Sequence, residues 1–324
     1  MNKAIRFHEY GGGEVLRWEE CTVAEPGPGE VRIRHEAIGV NFVDVYQRSG
    51  LYKVPLPAIA GNEGAGVIEA VGEGVTRVKV GDRVAYAGIP GSYCETRTIA
   101  AERLCILPDG LSFEQGAALM LKGLTVHYLI RRTYRVQPGD TVVFHAAAGG
   151  VGLIACQWLK SLGARIIGTA GSAEKCICAL NNGADYCINY RTEDLVGRVR
   201  EITNGKGVPV VYDSVGKDTF VASLQCLQPL GLLVSFGNAS GPVPPVNLGL
   251  LAQHGSLYIT RPTLATYIAE RSDLEAAAQE LFAAVLSGNI RIDINQRYQL
   301  KDAALAHNDL ETRKTTGSSI LLPR

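Results

Sequence analysis

One short segment limits the possible folds more than any other: His145-Ala146-Ala147-Ala148-Gly149-Gly150-Val151-Gly152. An apolar run, Thr141 to His145, leads into it, and an apolar helical stretch, Val151 to Leu162, follows. In register the turn reads Ala147-x-Gly149-x-x-Gly152, a G-x-G-x-x-G element with Ala in first place. Gly149 lets the backbone approach a pyrophosphate, and Gly152 lets the helix pack closely on its strand. The N–H groups at the start of the helix attract an anion.

The context is an alternation of strands and helices. Strands are expected at Thr141 to His145, Arg165 to Thr169, Tyr186 to Asn189, Val208 to Tyr212, Leu232 to Phe236 and Ser256 to Ile259. Helices fall between them at Val151 to Leu162, Ala173 to Asn181, Glu193 to Ile202 and Asp218 to Cys226. Six strands with crossover helices imply a doubly wound parallel sheet, a Rossmann arrangement. At the end of the second strand a site for NAD wants Asp or Glu to hold the ribose hydroxyls. This chain has Thr169-Ala170-Gly171-Ser172, followed by Lys175, whose ammonium can meet a 2′-phosphate. That favours NADPH. Glu174, the nearest carboxylate, reads as a first-turn helix residue favoured by the helix dipole.

The region before residue 112 is β-rich and punctuated by Gly and Pro. Val31, Ile33 and His35 alternate with Arg32, Arg34 and Glu36, the period of a half-buried strand. Gly64 to Val71 and Arg83 to Tyr86 are further strands, and the pattern suits a partly open barrel. Ser112 and Gln115 form a capping box that opens a helix. After about residue 262 come a helix, Asp273 to Leu286, and short strands at Tyr298 to Leu300 and Ser319 to Leu322 around a helix near Lys301 to Leu310. This tail is too small for a domain and is expected to return to the first one. The expected division is 1–124, then a Rossmann domain at 125–262, then 263–324 rejoining the first part.

Lys plus Arg and Asp plus Glu are both 32, so the formal net charge is zero. The chain as a whole has no electrostatic attraction for nucleic acid or an anionic membrane. Two uncharged runs, Thr141 to Leu159 and Thr219 to Thr260, are broken by Gly149, Gly150 and Gly152 and by Gly231, Pro242, Pro244 and Pro245, and read as core rather than membrane spans. Eight scattered cysteines without a Cys-x-x-Cys pair suit a reduced, cytoplasmic protein without a signal peptide. The six histidines, His8, His35, His127, His145, His254 and His307, show no ligand spacing, and no Gly-x-Ser-x-Gly element supports hydrolysis.

Together with Gly139-Asp140-Thr141-Val142-Val143, Gln157 and Lys160, the glycine turn resembles the signature of zeta-crystallin-like quinone oxidoreductases. These are a zinc-free branch of the medium-chain dehydrogenase/reductase superfamily. The resemblance extends over Ala37 to Asp44, Arg48 to Tyr52, Gly61 to Gly66, Leu121 to Thr125, Val211 to Gly216, Ser235 to Asn238 and Gly317 to Ser319. It implies a GroES-like catalytic domain built from both ends of the chain, a Rossmann domain, and a cleft for the nicotinamide of NADPH. Asn41, Phe42 and Tyr46 would face the nicotinamide and its ribose, with Thr125 close by. Gly149, Gly150 and Val151 would hold the pyrophosphate. Gly171, Ser172, Lys175, Tyr190 and Arg313 would surround the 2′-phosphate. Ser214, Phe236, Gly237, Asn238 and Thr260 would line the remaining groove. Asn41 is the expected catalytic positioning group, and Tyr46 and Tyr52 are candidates to hydrogen-bond a quinone oxygen or to wall an apolar cleft.

The superfamily's zinc enzymes place Cys where Asn41 stands and His where Asn62 stands, and carry a four-cysteine lobe that this chain lacks. Amides are poor zinc ligands, so no metal is expected. The implied reaction is hydride transfer from NADPH to a quinone. The alternatives are reduction of an alkenal or enone and, in a different class, a nucleotide-dependent RNA-binding or crystallin-like structural role. Ser256 to Ile259 would lie at a sheet edge, and the family commonly joins two such edges into a homodimer.

Overall fold

The computed structural model describes residues 2–323. The chain forms two compact units. One contains the described residues up to Leu124 together with Ile268–Leu286 and the stretch from Ile292 onward; the other contains Thr125–Tyr267 and Ser287–Arg291. Tyr267 closes the second unit. Its ring stacks on Tyr128 with centroids 4.4 Å apart, and its hydroxyl accepts a hydrogen bond from Thr133 at 2.9 Å.

The first unit is built on a long strand, Glu30–Val40, whose side chains alternate between core and surface over its first seven residues. The inward set, Val31, Ile33 and His35, is the one the sequence pattern selects. This strand pairs with Glu63–Val71 and Thr96–Ala100, and its far end with Ser318–Leu322 near the C-terminus. Ile5, Phe7, Ile38 and Val40 then share a buried cluster with Leu300, Ala303, Ala306 and Leu321. Each fully buried large aliphatic or aromatic side chain contributes about 1.5–3 kcal/mol. The helix Phe113–Tyr128 opens with the expected capping box: the Gln115 amide donates to Ser112 Oγ at 3.1 Å, and the Ser112 amide donates to Gln115 Oε1 at 2.9 Å.

The second unit is a six-stranded sheet with every neighbouring pair parallel. In spatial order its strands are Tyr186–Asn189, Arg165–Ala170, Thr141–Phe144, Val208–Asp213, Leu227–Ser235 and Tyr258–Thr260. The order reverses between Thr141–Phe144 and Val208–Asp213. In such sheets ligands bind outside the carboxyl ends of the strands at this switch point. In the first unit the strand expected at Tyr298 to Leu300 spans Ile294–Gln299, and in this sheet two strands depart from the sequence expectation by more than one residue. The fifth strand starts at Leu227 rather than Leu232, and the sixth spans Tyr258–Thr260 rather than Ser256 to Ile259. Ser256 has φ 56°, a left-handed turn conformation that cannot continue a strand.

Candidate active site

In the second unit, the glycine turn sits at the carboxyl end of Thr141–Phe144 and runs into the helix Gly150–Ser161. The left-handed residue of the turn is Ala146, φ 54°, one place before the Ala147 of the expected register. Ala147 donates its N–H to Thr169 O at 2.9 Å, which ties the turn to the second strand. Gly149 is the N-cap. The amides of Gly150, Val151 and Gly152 precede that of Leu153, the first to donate i→i−4 (to Gly149 O at 2.9 Å), so they are donors available to an anion. Gly152 is needed for close approach: a Cβ there would meet the Ala147 carbonyl carbon at 2.6 Å and crowd the Ala146 oxygen.

A polar network anchors this turn from below. Thr169 lies within hydrogen-bond distance of His145 Nδ1 at 2.9 Å, and His145 Nε2 lies 3.0 Å from Ser223 Oγ. Ser223 donates to Asp213 Oδ2 at 2.8 Å. Burial pushes the His145 pKa down, so the ring is held neutral.

Gly171, Ser172, Lys175 and Tyr190 come together at the end of the second strand. A Cβ on Gly171 would stand 2.6 Å from the Tyr190 hydroxyl oxygen, so only glycine leaves room for it. Ser172 caps the helix Ala173–Asn181 by accepting from the Lys175 amide at 3.3 Å. Glu174 lies in the first helical turn, and a hydrogen bond from the Ser172 side chain holds its carboxyl below the usual range. No carboxylate follows the strand before this helix. Arg313 belongs to the first unit, exposed after the helix Ala303–Glu311.

Ser214, Phe236, Gly237, Asn238 and Thr260 follow or end the next three strands. Phe236 donates its amide to Asp213 O at 2.8 Å, and Ala239 donates to Ser214 O at 3.1 Å. Thr260 pairs with Val234. Arg261 donates to Ser235 O at 2.8 Å and to Gly237 O at 3.1 Å, closing the loop. Thr125, at the start of this unit, is buried.

In the first unit, the helix Phe42–Arg48 carries the other predicted residues. Asn41 is its N-cap and is buried. Phe42, Tyr46 and Tyr52 form an aromatic run, with ring centroids 6.0 Å and 5.2 Å apart. Tyr46 is buried and Tyr52 is exposed. Two carboxylates without an assigned role bond Asn41. Its Nδ2 donates to Glu63 Oε2 at 2.9 Å. Glu63, fully buried, also accepts from the Leu121 amide at 2.6 Å and pairs with Lys122 at 3.3 Å. Asp44 accepts from the Asn41 amide at 2.9 Å and from Asn62 Nδ2 at 2.7 Å. Glu63 and Lys122 lie within motifs quoted above, but their pairing spans 59 positions and leaves no local trace.

Four buried thiols are held protonated. Burial pushes Cys94, Cys156 and Cys226 up to about 12 and Cys105 to about 11.

A two-unit chain with a GroES-like fold and a Rossmann sheet defines a class, the medium-chain dehydrogenases/reductases. The family model for the alcohol dehydrogenase GroES-like domain matches residues 27–136, and the model for zinc-binding dehydrogenase matches 150–283. The chain is 59% identical to a quinone oxidoreductase of Pseudomonas aeruginosa, over all of both chains. It superposes on the crystal structure of Escherichia coli quinone oxidoreductase complexed with NADPH with a TM-score of 0.98 at 55% identity, covering 99% of this chain and 100% of that one. It is also 45% identical to a 2-haloacrylate reductase of a Burkholderia species, over all of both chains. The chain belongs to the quinone oxidoreductase family.

The zinc in the second family model's description does not fit these donors. Asn41 and Asn62 offer amides, and both already donate to carboxylates. Amides compete poorly with thiolate and imidazole for zinc. Among the described residues no group of three or more His, Cys, Asp or Glu is placed to hold a metal ion.

Proposed function

We propose that this protein is an NADPH-dependent quinone reductase that works without zinc. The observation that carries this reading is the end of the second Rossmann strand. There Gly171, Ser172, Lys175 and Tyr190 lie close together, and the strand ends without a carboxylate to hold a 2′-hydroxyl, the nearest being Glu174 in the first turn of the following helix. Gly150 and Val151, beside the N-cap Gly149, offer backbone amides to the pyrophosphate, and Lys175 meets the 2′-phosphate. Ser214, Phe236, Gly237, Asn238, Thr260 and Thr125 supply the rest of the groove.

NADPH, when bound, supplies the hydride equivalent, and the protein supplies orientation and a dry site. Asn41 orients the nicotinamide end; Glu63 accepts one of its amide protons and thereby fixes which way the amide faces. Phe42, Tyr46 and Tyr52 wall the acceptor, and Tyr46 or Tyr52 donates to the oxygen on which charge develops. A quinone is electrophilic without a metal, so positioning carries most of the rate. The stopped-flow loss of reduced-nicotinamide absorbance, measured in parallel with a benzoquinone and an enone, tests this. Faster quinone turnover supports it; enone reduction alone favours the relationship to the 2-haloacrylate reductase.

The strand Tyr258–Thr260 is paired on one side only, with Tyr258 61% and Ile259 38% exposed. Two copies joining along this edge would cover it. Light scattering tests the homodimer: a monomer at micromolar concentration contradicts it. Eight free cysteines suit a reducing compartment, and the cytoplasm is the proposed location. No helix among the described residues is long and apolar enough to cross a membrane.

A further inference from the structure

The helix Phe42–Arg48 presents Asn41, Phe42 and Tyr46, and it buries two charged residues that the reading above does not use. Asp44 is 1% exposed and Arg48 2%. They stand four residues apart, on one face of the helix. Two residues from distant parts of the chain connect them. Tyr93 Oη lies 3.0 Å from Asp44 Oδ2, His307 Nε2 lies 3.1 Å from Tyr93 Oη, and Arg48 Nη1 lies 3.4 Å from His307 Nδ1. Arg48 also makes a two-pronged pair with Glu311 at 3.0 and 2.8 Å. His307 and Glu311 belong to the helix Ala303–Glu311.

The chemistry of the groups fixes the direction of this chain. A guanidinium has no acceptor lone pair, so Arg48 donates and His307 Nδ1 accepts. The ring proton of neutral His307 then sits on Nε2 and is donated to Tyr93 Oη. The Tyr93 proton is left for Asp44. Burial pushes His307 down to about 3 and Tyr93 well above its usual range, which keeps both neutral. Every proton along the chain points toward Asp44. From the other side Asp44 receives the Asn41 amide and Asn62 Nδ2, so three donors converge on one buried carboxylate.

Resting on the NADPH–quinone reading, we propose that Tyr93 and His307 are positioning residues. With Arg48 and Glu311 they form a one-way hydrogen-bonded chain from the C-terminal helix that locks Asp44, and so fixes the helix carrying Asn41, Phe42 and Tyr46 for hydride transfer.

The lock depends on the ionised carboxylate. Desolvation raises Asp44 to about 6, against the pull of Asn62, the Asn41 amide, Tyr93 and the nearby Lys122. The other charged or titratable groups face the chain that reaches it: His307, Arg48 and Glu311 along its length, and Glu63 beside Tyr93. A proton on Asp44 displaces one of its donors, so kcat/KM for the quinone falls on the acid side of about pH 6.

The experiment uses the full chain with NADPH and a benzoquinone. Tyr93→Phe removes a donor that holds Asp44 down. The acid limb of kcat/KM therefore moves to higher pH, and kcat falls by up to about a hundredfold, the scale of a reacting group misplaced by about 1 Å. His307→Phe behaves like Tyr93→Phe, whereas His307→Gln, which keeps one donor and one acceptor, retains near-normal rates. Titration of carboxyl-labelled Asp44 by NMR in the wild-type and Tyr93→Phe chains reads the same shift without turnover. An unmoved Asp44 titration in Tyr93→Phe, or equal damage from His307→Gln and His307→Phe, overturns the proposal. A wild-type chain that binds NADPH but reduces no quinone overturns the reading beneath it instead, and the NMR comparison still decides whether the lock exists.

Discussion

Asn41 donates its side-chain amide to Glu63 across 2.9 Å in an environment where Glu63 has no solvent exposure. The same carboxylate pairs with Lys122, whose side chain is 6% exposed. A residue assigned to face the nicotinamide is thus held by a buried ion pair. Burying such a pair costs free energy unless the remaining lone pairs are also satisfied, and here the Leu121 amide takes the other carboxylate oxygen.

Glu63→Gln should therefore cost stability as well as rate. It leaves the Lys122 ammonium without its direct counter-charge, a loss of about 3–5 kcal/mol for a broken buried pair. Urea denaturation reads it as a lower midpoint. A midpoint unchanged from wild type would mean the pair is solvated or dispensable.

Gly152→Val tests the glycine turn. The new side chain would collide with the Ala146 and Ala147 backbone, which cannot give way as a side chain can. The turn must shift away from the anion, and NADPH affinity should drop by at least about tenfold, or 1.4 kcal/mol. Fluorescence titration measures it, and wild-type affinity in this variant would remove the turn from the cofactor site.

The Rossmann unit was legible because its signals are local. The glycine turn and the second-strand ending each lie within eight residues, and in the first unit the Ser112–Gln115 capping box is local in the same way. The first unit's polar core was not. Tyr93 meets Asp44 across 49 positions and His307 across 214. A histidine with no ligand spacing, such as His307, gives no sign of such a contact. Ser256 escaped for another reason: nothing in Gly255-Ser256-Leu257 marks the serine, rather than the glycine alone, as left-handed.

The buried histidines set the acid stability. His35 is pushed down to about 3 by burial, as is His307, from an ordinary value of 6.5. Above 6.5 both are neutral whether the chain is folded or not. Below it the unfolded chain takes up two protons that the folded chain refuses until about pH 3, so stability is lost as pH falls through that window. Asp44 acts oppositely: its folded value of about 6 exceeds the ordinary 3.8, which adds stability as pH falls between those values. Two histidines outweigh one carboxyl. The urea midpoint should drop from neutral pH to about pH 4.5, and drop less in His307→Gln. A midpoint that holds or rises on acidification contradicts this.

The central claim is that the second-strand site selects NADPH for quinone reduction. The most direct measurement is kcat/KM for NADPH and for NADH with one benzoquinone, in the wild-type chain and in Lys175→Gln. The account predicts a wild-type preference for NADPH of at least about tenfold, or 1.4 kcal/mol. In Lys175→Gln that preference shrinks, through a raised KM for NADPH with NADH unaffected. Equal use of the two cofactors by the wild-type chain, or a preference untouched by Lys175→Gln, would contradict it.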